Sequence, residues 1–198
     1  MIPVFSPVGS PPDSAVTGYL VSSGREAVGE RSIPPEMAAL RGFEGEVGTT
    51  LVISRDGGID VLVGAGPAEA FGPFQARRAG AALVRAIGKA TSAAFDLRGA
   101  PAGEAGMQRL VQAVVEGVGC AAYRFEGYRS KENDPVLASL VISVDGEEIG
   151  GASRGIERGA AVVEAVTLAR DLVNRAPGDL TPSAFADEAV LIAQRSDL

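Results

Sequence analysis

The chain has 198 residues with 18 Lys+Arg against 25 Asp+Glu, a formal net charge of −7, and it contains no His, no Trp and one Cys. That length fits one domain with an appendage or two small domains, and 46% hydrophobic with 22% charged residues suits a globular core. Zero His excludes an imidazole base, nucleophile or zinc ligand, one Cys excludes an internal disulfide framework, and the acidic balance disfavours a nucleic-acid surface, which needs a basic face.

Residues 1–14 carry Pro3, Pro7, Pro11 and Pro12 and read as an irregular lead-in. They lack the charged and continuous apolar regions of a signal peptide. A first strand is predicted over 15–22. Pro34-Pro35 predicts a short helix with Met37, Leu40 and Phe43 on one side, since proline in the first turn forfeits only an N–H that has no partner there. The runs 49–54 and 59–63 are apolar and β-branched. Arg55-Asp56-Gly57-Gly58 between them supplies the positive φ of a hairpin turn.

In 73–90, Phe74, Ala79, Ala82, Leu83, Ala86, Ile87 and Ala90 recur three and four apart, which predicts a helix. A short strand follows at 92–96. Met107, Leu110, Val111, Val114, Val115 and Val118 predict a helix over 105–118. Further strands are predicted at 120–125 and 137–144. Val162, Ala165, Val166, Ala169, Leu172 and Val173 mark a helix over about 154–174, stopped by Pro177-Gly178. Thr181 then caps a second helix with Pro182 at its first position and Phe185, Ala189 and Ile192 on its apolar side. The fold class is therefore α/β, a mixed sheet flanked by helices that ends near 150, followed by a helical tail. No segment approaches the roughly 18 apolar residues of a membrane helix, and a reducing cytoplasm is the default compartment.

Gly64-Ala65-Gly66 follows a strand and precedes a helix, where phosphate-binding loops lie. Glu69 stands where a third glycine belongs and Pro67 removes a donor, so a tight strand-to-helix turn is preferred. Asp56, Asp60, Asp134, Asp145, Glu147 and Glu148 could bind a metal only by converging; solvated turn carboxylates are preferred. Cys120 reads as an inert buried thiol, since no His can activate it. The run from Tyr123 to Lys131 alternates aromatic and basic residues. It could stack on bases, but an edge strand with its aromatics in the core is preferred in an acidic chain.

Two stretches carry a resemblance. Tyr123-Arg-Phe-Glu-Gly-Tyr-Arg-Ser-Lys131 resembles the Tyr-Arg-Phe-x-x-Tyr-Lys-Ser-Lys segment of the M17 leucyl aminopeptidases. Ala169-Arg-Asp-Leu-Val-Asn174, followed by Pro177-Gly-Asp-Leu-Thr-Pro182, resembles that family's linker, Ala-Arg-Asp-Leu-Val-Asn-x-Pro-x-Asn-x-Leu-Thr-Pro. Gly178 stands where Asn is common. The similarity covers most of the chain, weakly over 1–70 and strongly from about 120.

The resemblance implies a cytoplasmic, hexameric peptidase that removes N-terminal residues, often Leu, from peptides. Two divalent metals, zinc or manganese, activate a bridging water and polarise the scissile carbonyl. The metal ligands and the catalytic Lys and Arg belong to the family's C-terminal domain, whose signature Asn-Thr-Asp-Ala-Glu-Gly-Arg-Leu does not occur in these 198 residues. The expectation is thus a macro-domain-like N-terminal domain over 1–150 and a helical linker with the start of the catalytic domain over 151–198. It assigns the chain no catalytic, metal or cofactor-binding residue and no cofactor of its own. Its partners would be its own catalytic domain and further copies, with no membrane partner and nucleic acid disfavoured. Two other readings are a stand-alone macro-like module binding an ADP-ribose-type ligand through 64–72, and a DNA-binding regulator.

Overall fold

The structure, a computed structural model, describes residues 2–23, 41–103, 106–128 and 135–195. The strands are β1 (Val4–Val8), β2 (Val16–Ser22), β3 (Thr50–Arg55), β4 (Gly58–Gly66), β5 (Ser92–Asp96) and β6 (Ser139–Ser143). The helices are α1 (Pro73–Ala86), α2 (Gly106–Ala122), α3 (Ile149–Asn174) and α4 (Pro182–Arg195).

All six strands form one sheet in the order β1-β6-β5-β2-β4-β3. Every pairing is parallel except β3 with β4. That pair is the predicted hairpin: Arg55 faces Gly58 across Asp56-Gly57, and Gly57 has φ +75, which glycine adopts without steric cost. The crossovers β4-α1-β5 and β5-α2-β6 move the same way along the sheet, and right-handed crossovers then place both helices on one face. α2 packs against α1 on one flank and α3 on the other, so the three make one layer. The main core between layer and sheet holds Leu20, Leu83, Phe95, Leu110, Leu140 and Ile142. The opposite face carries a smaller cluster of Val21, Phe43 and Leu62. The helix predicted from Pro34 lies outside the described residues except for its far end.

Two sequence expectations fail. The lead-in contains a strand: β1 pairs in register with β6, Val4 against Ser139 through Val8 against Ser143. β1 is an edge strand, and Pro7 is compatible with such a place because a missing N–H there need break no ladder bond. The strand predicted at 120–125 is absent. α2 runs on to Ala122 because its apolar face continues against α3, with Val118 and Ala122 buried. A Cβ on Gly119 would overlap the Val163 side chain of α3, so the two helices touch where a strand was expected. Among the described residues no helix is long and apolar enough to cross a membrane.

α3 divides along its length. Ala152, Gly155, Gly159 and Val163 recur three and four apart and are buried against α2. Beyond Val163 the apolar spacing continues through Val166, which is half-buried, to Val173, which is 84% exposed. α4 leaves Phe185, Val190 and Leu191 exposed.

Candidate functional site

The two segments that carry the family resemblance meet in space. Residues 123–128 follow the end of α2, and the stretch Arg170 to Asp179 forms the last turn of α3 and the connector to α4. The Tyr123 hydroxyl donates to Asp171 Oδ1 at 2.8 Å and accepts from Asn174 Nδ2 at 3.1 Å. The Tyr128 hydroxyl donates to Asp179 Oδ2 at 2.6 Å and accepts from the Ala176 N–H at 2.7 Å. Arg170 donates to the Cys120 carbonyl at 2.9 Å, and its guanidinium lies 5.3 Å from the Tyr123 ring centre, a cation–π geometry. Arg175 pairs with Glu188 of α4 at 2.7 Å.

The local backbone explains the aim of these rings. Tyr128 has φ +67, a left-handed conformation that costs a non-glycine residue energy. Its ring packs obliquely on Phe125, with centroids 5.7 Å apart. A Cβ on Gly127 would come within 2.6 Å of the Phe125 ring, so a glycine there lets the chain fold back over Phe125. Both phenols titrate above the usual 10.0. For Tyr123 the first cause is desolvation, reinforced by Asp171 and opposed by the Asn174 bond. For Tyr128 it is the bond to Asp179, which holds the neutral phenol, opposed by the Ala176 N–H. The arrangement binds two chain segments together: each phenol donates to a carboxylate of the far segment and accepts from an N–H of it.

Sequence reasoning reads the 123–131 run as an edge strand with its aromatics in the core. Instead its tyrosines face the linker. The pairing is between residues 48 to 51 apart in the chain, so no local pattern reports it. The only advance signal is the co-occurrence of the two motif segments.

The remaining predicted candidates are scattered. A Cβ on Gly64 would overlap the Glu46 carbonyl oxygen, and one on Gly66 would lie 2.5 Å from Val47. These glycines admit the 45–49 backbone across the strand end, and the space a phosphate would need is filled. Asp60 is buried rather than solvated and accepts from Arg55 Nε at 3.0 Å. Asp145 is exposed and accepts the Gly99 N–H at 3.0 Å. Asp134 lies outside the described residues. Cys120 is half-buried on α2.

The buried carboxylates that the sequence did not single out are turned to arginines. Asp96 takes Arg98 Nε and Nη2 at 3.0 and 2.9 Å, and Glu116 takes Arg77 Nε at 2.9 Å together with Gln112. Among the described residues no three of His, Cys, Asp and Glu come together as a metal site requires. Carboxylates committed to arginines one by one do not fit a two-metal centre.

Two shallow grooves run along the uncovered side of α3 and share Val166. One, of about 610 Å³, includes Arg77, Arg78, Cys120 and Val162. The other, of about 540 Å³, is bounded by Tyr123, Ala169, Arg170 and Val173. The second therefore borders the tyrosine junction.

The chain is similar to known proteins over most of its length. Residues 35–132 match the profile described as the cytosol aminopeptidase family, N-terminal domain. A probable cytosol aminopeptidase of Streptomyces avermitilis is 34% identical over 203 residues, covering 89% of this chain and 37% of that protein. One from Rhodopseudomonas palustris is 30% identical, covering 77% and 31%. Among solved structures, the bottromycin maturation enzyme BotP in complex with Mn superposes with a TM-score of 0.75 at 33% identity, covering 92% of this chain and 37% of that one. A tomato leucine aminopeptidase mutant shares the fold at 22% identity, with a TM-score of 0.76 over 98% of this chain and 42% of its own. The chain thus spans little more than a third of the length of the relatives it matches, and that third is the part their family description names: the chain belongs to the cytosol aminopeptidase family, as its N-terminal domain.

Proposed function

We propose that the chain works as the non-catalytic N-terminal module of a cytoplasmic leucyl aminopeptidase that trims N-terminal residues from peptides. In this reading 1–150 form the module, and 151–198 form the linker and the start of a catalytic half that supplies both divalent metals, zinc or manganese. The module serves assembly or regulation of a homo-oligomer, a hexamer in the resembling family, and holds no catalytic, metal or cofactor-binding residue of its own.

The observation that carries the reading is the change in α3 at Val163. Up to that residue the helix is buried against α2, and beyond it Val173, Phe185 and Val190 face outward. Burial of such a side chain is worth about 1.5–3 kcal/mol, so an uncovered run of them marks a surface that something covers. The relatives have the greater part of their length outside the matched region.

The test uses the purified 198-residue chain with a leucine anilide substrate and added Mn²⁺ or Zn²⁺. No hydrolysis above background is expected, and titration calorimetry should register no tight metal binding. Mixing the chain with the separately produced remainder of the Streptomyces avermitilis relative should give a complex by sedimentation. Hydrolysis by the chain alone that a chelator abolishes overturns the non-catalytic assignment. Failure of the two parts to associate overturns the assembly role.

A further inference from the structure

We propose that Tyr123 and Tyr128 are positioning residues that together fix the direction in which the chain leaves the helix layer. They do so by pinning the last turn of α3 and the connector to α4 onto the segment that closes α2. The proposal stands on the geometry of this chain and does not depend on the aminopeptidase reading.

Three observations carry it. First, the two hydroxyls each hold two partners, and the four partners lie on successive parts of one stretch: Asp171 and Asn174 in the helix, Ala176 and Asp179 in the connector. A hydroxyl that both donates and accepts fixes its neighbours from two sides. Second, among the described residues the connector's other ties are local ones, the Arg175–Glu188 pair and its own turns. Ala176, Pro177, Gly178 and Asp179 are exposed, and its own backbone bonds are the short turns from Asp179 and Leu180 to the Ala176 carbonyl. Third, Tyr128 keeps a left-handed backbone, φ +67, although the residue is 64% exposed and lies outside the core of the described residues. Strain of this kind persists where surrounding contacts over-determine it, and here those contacts are Phe125, Ala176 and Asp179. The Arg175–Glu188 pair then carries the constraint into α4.

Ordinary surface hydrogen bonds would predict something else. They would add a little stability and leave the direction of α4 unchanged when lost. The experiment therefore reads direction and local protection separately from stability. In the full 198-residue chain with Cys120→Ser, spin labels are placed at Arg109→Cys on α2 and Ala186→Cys on α4, both exposed positions. Pulsed dipolar spectroscopy should give one narrow distance distribution. Tyr123→Phe combined with Tyr128→Phe should at least double its width, with the thermal midpoint nearly unchanged. Amide exchange at Ala176 should accelerate roughly tenfold or more in Tyr128→Phe. Asp179→Ala, which leaves the Tyr128 hydroxyl as acceptor for the Ala176 N–H, should accelerate that amide less than Tyr128→Phe does, and adding it to Tyr128→Phe should change little. A distribution that is equally broad before substitution, or equally narrow after it, overturns the proposal. An Ala176 amide that is unaffected by Tyr128→Phe does the same.

Discussion

Replacing Gly80 with Ala should destabilise this protein, although the same change helps most helices. Gly80 is buried in α1. A Cβ built there lies 2.6 Å from the Val114 carbonyl oxygen of α2 and 3.2 Å from Val118 Cγ2. The near atom is backbone, so no side chain can swing aside. α1 and α2 must part by about 0.8 Å to bring the 2.6 Å approach to ordinary contact, and a gap of that size forfeits roughly a quarter to a half of the dispersion well of each facing atom pair. Ala76, Ala79, Leu83, Val114 and Val118 are buried on these two helices. Forcing a methyl against backbone that cannot swing aside costs ~1–3 kcal/mol, so a mid-range cost of about 2 kcal/mol is expected. Alanine returns at most about 1 kcal/mol of helix propensity. The steric term wins by about 1 kcal/mol, a fall of roughly 2–4 °C in midpoint for a chain of this size.

Gly150 supplies the control. It lies in the first turn of α3, and a Cβ there meets only Arg154 Nη1 at 3.8 Å, an ordinary contact. Gly150→Ala should therefore stabilise, by about 0.5 kcal/mol at a first-turn position where propensity counts in part. Thermal and urea unfolding followed by helix ellipticity compare both variants with the parent chain. Opposite signs are expected. A Gly80→Ala variant that melts at or above the parent would refute close backbone packing between α1 and α2.

The phenols give a pH test. Their pKa values are raised in the fold above the unfolded 10.0, so the junction's contribution is whole below about pH 10 and is lost as pH rises through the raised values. Tyrosinate absorbance, clean in a chain without Trp, should show Tyr123→Phe and Tyr128→Phe each deleting a component that titrates late. Arg98→Met removes both guanidinium bonds from Asp96, which is 1% exposed, keeps the Arg98 backbone N–H at 3.1 Å, and should cost about 3 kcal/mol in urea unfolding. Val173→Ser with Phe185→Ser should weaken concentration-dependent self-association in light scattering while leaving the midpoint within about 0.5 kcal/mol of the parent, because both sites are solvent-facing.

Much of the fold is written locally and some is not. The β3–β4 hairpin is legible because Asp56-Gly57 sets both turn and register within a few residues. The stripes of α1 and α2 are legible because one face of each is buried on the sheet. β1 is not, since among the described residues its ladder partner is β6, more than a hundred residues along the chain, and its prolines mimic a loop. Nor is the end of α2: Gly119-Cys120-Ala121-Ala122 is too short for a period to separate helix from strand, and the approach of Val163 decides it. The buried arginine–carboxylate pairs are similarly hidden, because Arg77 and Glu116 come together only when α1 packs on α2. At the junction the sequence names the right residues and the wrong surroundings. The motif shows which positions matter, while contacts across some fifty residues determine what they touch.

The junction and the apolar grooves divide the overhang of α3 between them. From Val163 to Asn174 the helix runs about 16 Å past its last buried residue at 1.5 Å per residue. A helix held by packing at one end alone would swing at the other, since most helix stability in proteins comes from a packed face. Tyr123 grips this overhang through polar groups, at Asp171 and Asn174, whereas the overhang's apolar residues Val166 and Val173 border the neighbouring groove. A protein surface covering the groove thus gains the apolar area without displacing the hydrogen bonds, and it meets a helix whose direction is already set. Pre-setting the direction lowers the ordering entropy that association must overcome. Tyr123 and Arg170 line that same groove, so covering it also removes water from the Tyr123 phenol. The neutral phenol is then favoured further, so cover and latch are both weakened as pH rises through the raised phenol pKa, whereas below it the phenol is neutral with or without the cover.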